Sequence, residues 1–275
     1  MAGLSPDILT HFTSSFNNLI NILKHDFYPR YCYEEFTIMD NPAFVKNAFP
    51  MVCFCDIPLS QIKTHIKTYG KYGIALSKNW GILKRLNPVI YFNRDSLLSE
   101  EIYKQHIFLQ SLQRISARIV AVPNVDKSEE YFNLVDLLPA LGYSIQELTR
   151  YSKPYEGTLY RKGKLQKAGY RFYDEREWRY MPSIQSSSSN TRYWLNKSDF
   201  LDRRKLAIEN KKIEDAGIKL TFDPYDIRYI IVKNEDDIIK LLFRLPKIKG
   251  KNYNPTVIKL LTSRIITCEQ IINDF

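Results

Sequence analysis

Two carboxylates two residues apart, Glu175 and Glu177, stand in the stretch YDEREWRYMP from Tyr173 to Pro182. Read as a β-strand, this stretch puts Tyr173, Glu175, Glu177 and Arg179 on one face and Phe172, Asp174, Arg176 and Trp178 on the other, because successive side chains alternate. Acids that point the same way can divide their work. One recognises a hydroxyl or stabilises a developing cation while the other positions or deprotonates a nucleophile. The spacing fits equally a solvated strand face whose Glu and Arg side chains pair with neighbouring strands, each pair contributing about 0 to 1 kcal/mol.

Three further groups have the chemistry to join such a pair. His11 and Thr13, at the end of an expected first strand, set an imidazole and a hydroxyl on one side, where both can bond ribose hydroxyls or an amide. A His at a strand end also serves as a satisfied structural residue. The stretch TYGKYGIAL places Tyr69 and Tyr72 around two glycines, which suits a slot for a flat heterocycle as well as a helix end followed by core tyrosines. Asp56 is the one candidate for a third acid if Glu175 and Glu177 were to hold Mg²⁺ in a nuclease. No metal site is otherwise expected, since the chain contains no HExxH, and it also lacks GxSxG, GxGxxG and GxxxxGK[ST].

The elements that must position these residues follow from periodicity. ILTHFTSS begins as a strand and runs into a helix with Phe16, Leu19, Ile20 and Leu23 at helical spacing behind Ser14 or Ser15 as cap. MVCFCDIPL reads as a buried strand, followed by a helix with Leu59, Ile62, Ile66 and Tyr69 on its apolar side that ends at Gly70. YGIAL and PVIYF are two more strands. Asp95 can cap a long helix to about Arg118, and two shorter helices are expected between Asn124 and Lys153. GYRFYDEREWRYMP is the next strand, the serine-rich SIQSSSSN an exposed loop, and KSDFLDRRKLAIENKKIEDAG one charged helix ending at Gly217. The tail repeats strand-to-helix units, with Asn234 as a cap and Thr267 with Gln270 at capping-box spacing. Strands and helices mix without strict alternation, which predicts an α+β fold on a mixed or antiparallel sheet.

Composition bounds the partners. The 275 residues are 44% hydrophobic and 25% charged, ordinary values for a folded chain. A net charge of +10 with a pI near 9.2 favours encounter with phosphate-rich partners such as nucleic acid, and is also what a lysine-rich solvated surface produces. No apolar run approaches the ~18 to 20 residues of a membrane helix, and the start lacks a signal-peptide pattern, so no membrane association and a cytoplasmic location are expected. Cys32, Cys53, Cys55 and Cys268 form no CxxC, and Cys53 and Cys55 would share a strand face.

Taken in order, HFTSSFNNLINIL, PMVCFCDIPL, YGKYGIAL, NPVIYF and YDEREWRYMP resemble the abortive-infection phage-resistance family AbiGi, over about Ile8 to Val232. The resemblance implies bacterial antiphage defence in a two-gene system, with an AbiGii-like partner protein and the antitoxin role for this chain. The H-x-T start before LxxIL and the late E-x-E strand are also similar to DarT-like ADP-ribosyltransferases. That second resemblance implies NAD as substrate, His11 and Thr13 as NAD contacts, Glu177 as catalytic carboxylate, Glu175 as its acceptor-side companion, and Tyr69 or Tyr72 stacked on nicotinamide. It implies an ADP-ribosyltransferase-like split mixed or antiparallel sheet in a single domain over 1–275, with a helical insertion about 95–153 and strand-helix units about 228–275. CFCD and the central helices depart from that pattern. The expectation is therefore transfer of ADP-ribose to a nucleic acid or protein, or NAD hydrolysis. The alternative is a non-enzymatic antitoxin or interaction module whose Glu and Arg face is an interface.

Overall fold

The computed structural model describes residues 5–38, 41–120, 137, 141–142, 144–161, 164–183, 190–248 and 253–274. In chain order the strands are β1 (Ile8–Thr13), β2 (Arg30–Ile38), β3 (Asn41–Cys55), β4 (Tyr72–Ser77), β5 (Asn87–Pro88), β6 (Ile90–Phe92), β7 (Ser152–Pro154), β8 (Glu156–Arg161), β9 (Lys164–Arg171), β10 (Glu177–Tyr180), β11 (Leu195–Asn196), β12 (Ile227–Val232) and β13 (Ile265–Thr267). The helices are α1 (Phe16–His25), α2 (Lys63–Tyr69), α3 (Lys78–Leu83), α4 (Leu97–Val120), α5 (Lys197–Leu201), α6 (Arg203–Asp215), α7 (Glu235–Arg244), α8 (Pro255–Thr262) and α9 (Cys268–Asp274). The chain divides into two compact units, one of Met1–Cys32, Ala48–Pro88 and Asp174–Phe275, the other of Tyr33–Asn47 and Val89–Tyr173.

The first unit is built on a sheet in the order β13-β12-β4-β1-β3-β10-β5, with β11 also pairing with β3. Its neighbours are antiparallel except β12 and β13, which run parallel. The mixed α+β class expected from the sequence is what forms. Both faces of the sheet are covered, and the residues of β12 show why. Ile230 and Val232 enter one core with Leu9, Phe54, Ile74 and residues of α1, α3, α7 and α8. Ile231, between them, enters a second core with Cys55 of β3 and with Ile62, Ile66, Cys268 and Ile271, from α2, α9 and the turn before α2. A strand buried on both sides is apolar at successive positions, and IIV is such a run.

Local signals placed most ends. Ser15 caps α1, its hydroxyl accepting from the Asn18 amide at 3.2 Å. Asn234 caps α7 in the same way, and Thr267 with Gln270 closes the reciprocal capping box at 2.9 and 3.0 Å. The charged segment after Asn196 is two helices where one was expected. Asp202 interrupts it, and its carboxylate accepts from the amides of Arg204 and Lys205, so it acts as the cap of α6.

The second unit contains the parallel pair β6 and β7, the antiparallel ribbon β8–β9, and α4. Ser96, one residue past the expected Asp95, caps α4 through the Ser99 amide. Residues 144–150 are helical. The rest of the expected pair of helices before Lys153, and residues 184–189 of the serine-rich loop, lie outside the described residues. No helix among the described residues is long and apolar enough to cross a membrane.

Candidate functional site

The stretch that carries the two acids is not one strand. β9 stops at Arg171, a 3-10 turn takes up Phe172–Glu175, and β10 starts at Glu177. The break is at Arg176, whose φ of 43° lies in the left-handed region that costs a non-glycine residue about 1 kcal/mol or more. It is held there by the residue that follows β3, because the Asp56 amide donates to the Arg176 carbonyl at 3.0 Å. The expected alternation therefore holds from Glu177 onward and fails before it. Glu177 and Arg179 share a face, Trp178 turns to the first core, and Glu175 reaches its place from a turn.

Neither acid is solvated. Glu177 is 7% exposed and Arg179 wholly buried. The guanidinium grips the carboxylate with both arms, Nε donating to Oε1 at 2.8 Å and Nη2 to Oε2 at 3.1 Å. Glu175 is 3% exposed and accepts from the Tyr69 hydroxyl at 2.5 Å. The His65 ring stacks on Tyr69 one helical turn earlier, with centroids 5.4 Å apart.

Register decides which residues can meet. Thr10 pairs with Cys55, and Cys55 with Glu177, so their side chains stand on one side of the sheet. Cys53 stands there too. A hydrogen bond with Cys32, then burial, then the charge of Glu177 hold its thiol well above the ordinary range. All four cysteines are free thiols. Tyr69 approaches this same side, since α2 contributes Ile66 to the second core.

His11 alternates to the opposite side. Its ring lies against Phe27 and Phe54 of the first core at 5.2 and 5.7 Å, and its Nδ1 donates to the Cys53 carbonyl at 2.8 Å. Burial lowers the imidazole pKa, partly offset by that bond. Thr13 is on the His11 side and pairs with Tyr72. Its hydroxyl accepts from the Asn18 amide group at 3.0 Å. The Tyr72 hydroxyl donates to Asp237 at 2.9 Å, and burial with that bond pushes its pKa up to about 12. The six residues singled out in the sequence thus fall into two sets of three. Tyr69, Glu175 and Glu177 gather on one side of the sheet, and His11, Thr13 and Tyr72 on the other, so no single face presents them all to one dinucleotide.

Asp56 is engaged elsewhere, accepting from Lys78 at 2.8 Å and from Ser5 at 2.8 Å. Among the described residues no three His, Cys, Asp or Glu side chains gather as metal ligands. Two partners of the site were not singled out by sequence. His65 could have been found from its i, i+4 relation to Tyr69, whereas Cys32 reaches Cys53 only through strand pairing.

Compared with known proteins, residues 25–233 match the family model described as "Putative abortive phage resistance protein AbiGi, antitoxin". The chain is 30% identical over 264 residues, 90% of its length, to the abortive phage resistance protein AbiGi of Lactococcus lactis subsp. cremoris, and covers 99% of that relative. No solved structure matches the chain.

Proposed function

We propose, from the premise that the chain belongs to the AbiGi family of abortive phage resistance proteins, that it is the antitoxin-type component of a phage-defence pair and holds an AbiGii-like toxin by protein contact. The observation that carries this reading is the state of Glu177. Its carboxylate is buried and forked by Arg179, a placement suited to locking β10 into the sheet. The family description names an antitoxin, and an antitoxin that acts by contact needs a partner surface. The test co-expresses the chain with the toxin encoded beside it. Co-purification and relief of growth arrest are expected. Failure of both would remove the reading.

A second reading is favoured by the junction of Tyr69 and Glu175 at 2.5 Å beside Glu177. Two buried acids and a tyrosine on one side of the sheet are groups that can stabilise an oxocarbenium-like ribose as nicotinamide leaves NAD. Its test follows nicotinamide release and label transfer from NAD by wild type and Glu177→Gln, with and without protein or nucleic acid acceptors. Release by wild type that vanishes in the variant would put this reading first. His11, Thr13 and Tyr72 would then not line the same pocket.

A further inference from the structure

Charge is unevenly spread along this chain. Between Gly157 and Arg171 stand Arg161, Lys162, Lys164, Lys167 and Arg171 with no Asp or Glu, so 15 residues carry +5 of the net +10. The stretches Lys63–Arg85 and Lys240–Arg264 also lack acids, whereas α6 pairs Lys211 with Asp215 and Lys212 with Glu209. With Glu156, which the register sets opposite Arg171, this segment folds as the β8–β9 ribbon of the second unit. Its register sets Arg161 opposite Lys164 and Leu159 opposite Lys167, and Lys167 and Arg171 are exposed.

Beside the ribbon's root lies an aromatic surface. Tyr155 is 39% and Tyr173 51% exposed, large fractions for residues whose rings lie 5.4 Å apart and only 31° from parallel. The Arg171 guanidinium sits 5.9 Å from the Tyr155 ring centre. The platform is held from below. The Tyr155 amide donates to the Phe92 carbonyl at 2.7 Å and the Tyr173 amide to the Tyr155 carbonyl at 3.2 Å. Phe172, between Arg171 and Tyr173, is buried, with the Lys153 ammonium 4.7 Å above its ring. The turn that follows β9 thus buries Phe172 and leaves Tyr173 and Arg171 on either side of it exposed.

We propose that this face of the second unit binds single-stranded nucleic acid, with phosphates on Lys167 and Arg171 and unstacked bases on Tyr155 and Tyr173. Cations alone would serve any polyanion. Exposed aromatics next to them select a ligand with flat faces beside its phosphates, and the unpaired bases of a single strand present both along one chain. A base stacked on an aromatic contributes about 1 to 3 kcal/mol, and each neutralised phosphate adds a salt-dependent increment.

The test uses the full chain and fluorescence anisotropy with three probes: a mixed-sequence single-stranded oligonucleotide, its duplex, and heparin as a polyanion without bases. The single strand is expected to bind best. Tyr173→Ala should weaken it on the order of tenfold while leaving heparin unchanged. Lys167→Glu with Arg171→Glu should weaken both and flatten the salt slope for the single strand by about 0.7 per lost contact. Ultraviolet cross-linking in the unmutated chain, mapped by mass spectrometry, should mark Tyr155 or Tyr173 whether or not the variants fold. Heparin or duplex binding as tight as single-strand binding, or cross-links only elsewhere, would overturn the proposal.

Discussion

At the scale of single residues, Glu177 and Arg179 form an ion pair in the interior of the first unit. A buried ion pair is costly to assemble and more costly to break, because removing one member leaves an uncompensated charge in the interior. Arg179→Ala is therefore expected to lower unfolding stability by about 3 to 5 kcal/mol in urea titration, and Glu177→Gln with Arg179→Met to recover much of that loss. A double variant as unstable as the single one would show that Arg179 acts through other contacts. His11 supplies a second residue-level expectation. Its folded pKa is lowered, chiefly by burial, so between the folded and the ordinary value the unfolded chain binds more protons. The stability from the neutral ring is full above the ordinary His value and is lost as pH falls from there towards the folded one. The slope is at most about 1.4 kcal/mol per pH unit for one proton. Urea midpoints measured from pH 7.5 downward should fall less steeply in His11→Gln than in wild type, with His106, also lowered by burial, contributing equally to both.

At the scale of elements, the join between α2 and β4 constrains the site most tightly. Gly70 ends α2 at φ 129°, and a Cβ there would lie 2.2 Å from the Thr13 carbonyl oxygen at the end of β1. Gly70→Ala thus meets both a forbidden backbone region and a backbone clash, and should destabilise by more than about 1 kcal/mol in thermal or urea unfolding. It should also loosen Tyr69, the residue before it, from Glu175. A melting temperature equal to wild type would mean that β1 and α2 do not approach as described. Most of the elements around this join were legible in the sequence. H-x-T before an amphipathic helix, the apolar MVCFC run and the Gly70 stop each carry a local physical signal. The Phe172–Glu175 turn was not legible, because the four consecutive charged residues Asp174 to Glu177 fit a strand face as well as a turn. The positive φ of Arg176 has no signature in its side chain.

At the scale of the whole molecule, the antitoxin reading makes a thermodynamic prediction. A partner that binds only the folded chain raises its stability by mass action, by about 2.7 kcal/mol when the partner stands at a hundred times its dissociation constant. The melting temperature of the chain should rise with added AbiGii-like protein and be unmoved by NAD. A rise with NAD alone would favour the glycosyl-transfer reading instead. The sequence by itself determined the α+β class, most caps and helix ends, the concentration of basic residues between Gly157 and Arg171, and the family, since each is written in local order and composition. Only the tertiary structure decided which candidates meet. Faces of a strand are assigned by counting twos, but which face belongs to which core depends on the pairing of β1 and β10 with β3. That register put Glu177 opposite Cys55 and Arg179 opposite Cys53, and turned His11 to the opposite side of the same sheet.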